Sequence, residues 1–142
     1  MGCGYVVILF DQHNIQDNIY EIVFSTTQQI IVSRVLIDYL KQNNGELTKT
    51  KLSLFANKLN EGKVVTKIEE EPFIGKQVKL SYNKRQFYDR ILTPMRAMGL
   101  IDYDLYKKTY KLTNNFSKAI LQIGELWSEE LKEKAIDVSF VE

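Results

Sequence analysis

Cysteine is almost missing from this chain of 142 residues: Cys3 stands alone. One thiol cannot close an internal disulfide, so a hydrophobic core must carry the fold, and a reducing, cytoplasmic setting is expected. Histidine is equally scarce, with His13 alone in a polar stretch. A lone thiol and a lone imidazole give no ligand-spaced zinc cluster and no Cys-His or Ser-His-Asp nucleophile. No glycine-rich phosphate loop is present either. These gaps lead to the expectation of a protein that is not an enzyme and uses neither metal nor cofactor. Long apolar runs are missing too. The longest, Tyr5 to Phe10, is too short for a membrane span or a secretory core. The start Met1-Gly2-Cys3 hints at acylation, but Val6 stands where the myristoylation pattern has Ser or Thr.

Charge of one sign is also missing in the sum, which is +1, but not along the chain. From Lys76 to Arg96 there are six basic residues and one acid, Asp89, whereas Glu125 to Glu142 holds six acids and two lysines. A partner of strong negative charge would therefore meet one segment and not the whole surface. Hydrophobic residues at 44% and charged residues at 26% are the proportions of a globular chain, and 142 residues suffice for one cored domain. Glu69-Glu70-Glu71 reads as solvated loop charge.

Periodicity divides the chain as follows. Residues 1–25 are expected to hold two strands, Tyr5–Phe10 and Ile19–Phe24, paired as an N-terminal hairpin. Ser25, Thr26 or Thr27 caps a first helix running to about Asn43. Its polar stripe of Arg34, Asp38 and Lys41 is narrow, so its apolar surface should be central to a core or shared with a second subunit. Asn43-Asn44-Gly45 ends it. Thr48 or Thr50 caps a second helix to about Asn60, with Leu52, Phe55 and Leu59 on one face, and Glu61-Gly62 closes it. Lys63 to Leu80 admits two readings, a pair of short strands or a mobile loop.

Ser81 is expected to cap a third helix, from Tyr82 through Met98, with Phe87, Tyr88, Ile91, Met95 and Met98 on its buried side. Pro94 lacks an N–H for the carbonyl of Arg90, at a cost of about 3 kcal/mol if unrelieved, so a kink or restart is expected there. Gly99 is the stop. Leu100 to Thr113 alternates as a two-stranded hairpin with Lys107 and Lys108 near its tip. Asn114 or Asn115 caps a last helix to about residue 135, striped by Phe116, Ile120, Ile123, Trp127 and Leu131. Residues 136–142 alternate as a short tail strand.

The run Arg90 to Asp104, with Met98-Gly99-Leu100-Ile101 at its centre and Tyr110-Lys-Leu-Thr113 after it, resembles the end of a recognition helix passing into a wing. The order of elements is similar to the winged helix-turn-helix superfamily. MarR-like and ArsR-like regulators share this layout, as do small archaeal and archaeal-virus proteins. The resemblance spans about residues 26 to 131. It implies an α+β fold: a winged-helix core over 26–113, with an added N-terminal β-hairpin and a long C-terminal helix. Two features depart from the layout: a long link over 61–80, and a wing tip without the usual glycine and arginine.

The resemblance further implies a sequence-specific regulator of transcription that binds double-stranded DNA, as a homodimer. The helix 82–98 would enter the major groove and the hairpin 100–113 would act as the wing. Arg85, Gln86, Arg90 and Arg96 are the candidate base readers, because arginine pairs bidentately with guanine and glutamine with adenine. Tyr82 and Lys84 at the helix start, and Lys107 and Lys108 on the wing, are candidate phosphate contacts, with Lys111 as a further wing cation. The alternative is a winged-helix protein–protein interaction module of a transcription, replication or viral assembly. The even net charge, the short wing and the acidic loop favour that alternative.

Overall fold

Side-chain caps and left-handed stops set the helices of this chain, whose computed structural model describes residues 10–68 and 76–142. The Asn18 side chain accepts the N–H of Glu21 and starts a short α1, Ile19–Val23. Thr26 accepts from Gln29 and starts α2, Thr27–Gln42. Asn44 (φ 59°) and Gly45 (φ 84°) end α2, and the Gly45 N–H returns to the Leu40 carbonyl at 2.8 Å. After β1, Glu46–Thr48, Thr48 accepts from Lys51 and starts α3, Lys49–Asn60. A hairpin of β2, Val64–Ile68, and β3, Lys76–Leu80, follows. The next helical run comprises α4, Lys84–Gln86, a π-helical segment, Phe87–Leu92, and α5, Thr93–Met98. Then come β4, Ile101–Asp104, β5, Thr109–Leu112, and α6, Asn115–Glu130.

The architecture is mixed α+β. Strands β1, β5 and β4 form an antiparallel sheet in that order, with Leu47 opposite Tyr110 and Tyr110 opposite Tyr103. Strands β2 and β3 pair separately, Val64 opposite Leu80. The core lies where α2, α3 and the 84–98 helical run meet. Leu36, Leu40, Ala56, Leu59, Phe87 and Ile91 are fully buried there. Each buried side chain of leucine size contributes on the order of 1.5–3 kcal/mol. Aromatic rings join the three helices: Tyr39 stacks on Phe55 at 5.1 Å, and Phe55 meets Phe87 at 5.7 Å between centroids.

Several expectations are corrected. Residues 19–23 form α1 and not a strand, because Asn18 caps them and Val23 and Phe24 turn into the core. The other half of the expected N-terminal hairpin, Tyr5–Phe10, lies outside the described residues except for the exposed, non-strand Phe10. The third helix is capped by Asn83, whose side chain accepts from Gln86, and not by Ser81. It therefore begins at Lys84. Residues 136–142 form no strand: among the described residues no strand pairs with them, and Ile136, Val138 and Phe140 are exposed. The link over 61–80 takes the strand reading, with β2 and β3 on either side of the residues not described.

Pro94 acts upstream of itself. The Thr93 N–H donates to the Tyr88 carbonyl, five residues back, and the segment before the proline is wound as a π-helix. The chain stays helical through Leu92 and Thr93 but changes there from π to α winding, at the expected Thr93-Pro94 position, by widening the turn that would have needed the missing donor. Ile91 and Leu92, neighbours in sequence, are both buried, at 0% and 3% exposure.

Candidate nucleic-acid interface

The 84–98 run is built to bury Phe87, Ile91, Leu92 and Met95 and to leave a polar face outward. Arg85, Asp89, Arg90, Thr93 and Arg96 are exposed on it, and Gln86 is half-buried. The Arg85 Nε lies 3.8 Å from Asp89 Oδ2 in a pair open to water. Such a pair is worth a few tenths of a kcal/mol, about 0.3–0.5, and yields readily to a stronger anion.

Two candidates are placed differently from expectation. Tyr82 is buried at 5% exposure, and its N–H donates to the Leu59 carbonyl at 3.0 Å. It precedes the helix and packs into the core, so the expected phosphate contact is corrected to a structural anchor. Lys84 is half-buried, and its backbone N–H is taken by Asn60 Oδ1 at 2.8 Å. Arg96 already has a use inside the chain. Its guanidinium sits 5.5 Å from the Tyr103 ring and 5.8 Å from the Tyr110 ring, fastening α5 to the β4–β5 hairpin. Burial pushes the Tyr110 hydroxyl up from its ordinary pKa, while Arg96 pulls it the other way.

The hairpin tip is ordered by one carboxylate. Asp104 accepts the N–H groups of Tyr106 at 2.9 Å and Lys107 at 3.1 Å. The Lys107 hydrogen bond, then that of Tyr106 and the charges of Lys107 and Lys111, hold the carboxyl below the usual range. Lys107 and Lys108 are exposed at this tip, with Lys108 in the left-handed region at φ 52°.

Sequence reasoning missed the neighbour of the tip. The Lys49 N–H donates to the Lys108 carbonyl at 2.9 Å, so the first turn of α3 abuts the hairpin loop. That turn carries Lys49 and Lys51, both exposed, and no acid. Cations at a helix N-terminus oppose its dipole, so Lys49 and Lys51 add to the positive end of α3 and suit an anion. Two lysines directly after the capping Thr48 were the available signal.

The inserted β2–β3 hairpin has its broadest contact outside itself with α3, while the 84–98 run packs on α2, α3 and β4. Among the described residues no group of His, Cys, Asp or Glu is arranged to hold a metal ion. No helix among them is long and apolar enough to cross a membrane. Comparison with protein-family models, with curated proteins and with solved structures found no match to this chain.

Proposed function

We propose that this chain is a winged helix-turn-helix protein that binds double-stranded DNA, as a regulator of transcription. One observation carries the reading. A helix with exposed Arg85 and Arg90 runs directly into a lysine-tipped hairpin whose strands order as β1-β5-β4 after α2, β1 and α3. That sequence of elements is the one in which the third helix enters the major groove and the hairpin flanks it. The basic first turn of α3 beside the hairpin tip supplies further phosphate contacts. Arg85, Arg90 and Gln86 are the proposed base readers. Lys107, Lys108, Lys49 and Lys84 are the proposed phosphate contacts, and Arg96 is the residue that sets the angle between helix and wing.

The test is the salt dependence of binding to mixed-sequence duplex DNA, read by fluorescence anisotropy. With about four to six phosphates neutralised per subunit, the log–log slope should be roughly −4 to −5. A chain that binds no duplex even at low salt overturns the reading, and the protein-interaction module then takes its place.

A further inference from the structure

Helix α6 has sixteen residues and buries none of them. Its root is fixed, since the Phe116 N–H donates to the Gly99 carbonyl at 2.9 Å. Beyond that root it packs at length on no other described element. Yet it is strongly amphipathic. Phe116, Ala119, Ile120, Ile123, Leu126 and Trp127 fall within one side of the helix, and Leu131 continues the stripe. Ile123, Trp127 and Leu131 are 58%, 63% and 67% exposed. The opposite side carries Ser117, Lys118, Gln122, Glu125 and Glu129. A stripe of this width has no stable place in water.

The charges of α6 also run the wrong way for a helix standing alone. Its first turn has no acid and its last turn has no base. Lys118, near the positive end of the helix, is its one cation, while Glu125, Glu129 and Glu130 crowd toward the negative end. Each opposes the macrodipole.

We propose that the partner of α6 is α6 of a second copy of this chain, lying antiparallel. This arrangement answers both observations. Antiparallel pairing sets the acidic end of each helix, where Glu130 lies on the apolar side, beside the positive N-terminal end of the other, whereas parallel pairing superposes like on like. The apolar layers are self-complementary about a two-fold axis between Leu121 and Gln122. In that register Phe116 faces the other copy's tryptophan layer at Trp127, and Ile120 faces its isoleucine layer at Ile123. Spacings of four, three and four residues keep all four positions on the seam. Anionic lipid is a poorer occupant, because the outward face of α6 is net acidic and would be repelled. The inference stands apart from the DNA reading, and its test contains no nucleic acid.

Sedimentation of the full chain should give a dimer at micromolar concentration. Ile123→Glu should give a monomer whose circular dichroism spectrum keeps the helical content of the body, because Ile123 contributes nothing to the core. In a Cys3→Ser background, spin labels at Leu121→Cys and at Ser128→Cys report the orientation. Antiparallel helices offset the two Ser128 labels by about 20 Å along the axis and the two Leu121 labels by hardly any. Parallel helices give both sites the same separation. Three results overturn the proposal: a monomeric wild type, including one that partitions onto lipid vesicles; a dimer untouched by Ile123→Glu; or equal separations at the two labelled sites.

Discussion

Gly45 and Gly99 hold nearly the same backbone angle, φ 84° and 86°, in different surroundings. A Cβ added at Gly45 meets nothing within 4 Å, whereas at Gly99 it falls 2.8 Å from the Phe116 nitrogen and 3.0 Å from Asn115 backbone. Gly45→Ala therefore carries only the left-handed strain, about 1–2 kcal/mol. Gly99→Ala carries the same strain and must also push the root of α6 away. Chemical denaturation should show Gly99→Ala to be the costlier of the two, and Gly99→Val costlier still. Equal midpoints for the two alanine variants would mean that the close approach at Phe116 costs nothing. Asp104 gives a second prediction at this scale. Its carboxyl pKa is depressed, so the order it gives the hairpin tip is complete above the unfolded value of about 3.9 and is lost as pH falls through the lower folded value. The Tyr106 and Lys107 amide signals should titrate together with a midpoint below the ordinary aspartate range. A midpoint at or above that range would remove Asp104 as the organiser of the tip.

The elements show which features of the fold were legible in the sequence. Thr26, Thr48, Gly45, Gly62 and Gly99 bound the helices because each satisfies or releases specific backbone groups within a few residues of itself. Elements that depend on distant partners were harder to read. β1 is three residues with one buried side chain, Leu47, and exists because β5 lies beside it. Ile19–Phe24 is apolar enough for either helix or strand, and only the spacing from Asn18 to Glu21 marks it as helical. Ile136, Val138 and Phe140 alternate as a strand does but find no edge to join among the described residues. The π segment was invisible because its cause, Pro94, lies after it. That segment makes a prediction. Ile91→Ala and Leu92→Ala should each cost about 2–5 kcal/mol in urea unfolding, since both side chains fill the core. A small effect at Leu92 would mean that its side chain does not fill the core in solution.

At the scale of the whole molecule, the candidate DNA face separates three kinds of cation, and each should leave a different mark on binding. Among the described residues Arg85 is held only by an exposed pair with Asp89, and Arg90 is exposed on the same helix. Changing either to Ala should cost about 1–3 kcal/mol on a preferred site and flatten discrimination between sequences, because a base contact is lost. Lys108 stands exposed on the hairpin tip, where the proposed contact is with phosphate. Lys108→Ala should weaken all duplexes alike and make the salt slope shallower by about one. Arg96 was legible as a basic residue on the right helix, but its position over Tyr103 and Tyr110 depends on the pairing of β4 with β5, which one helical wheel cannot show. Its loss removes a cation–π contact worth about 0.5–1 kcal/mol at an exposed site, so Arg96→Ala should lower thermal stability. Its DNA affinity should fall through the altered wing angle, and Arg96→Lys, which keeps the charge without the planar stack, should not restore it. Anisotropy titrations of the four alanine variants on two duplexes, at two salt concentrations, separate these outcomes. If all four variants weaken every duplex equally and shift the slope alike, the helix attracts DNA by charge alone and reads no sequence.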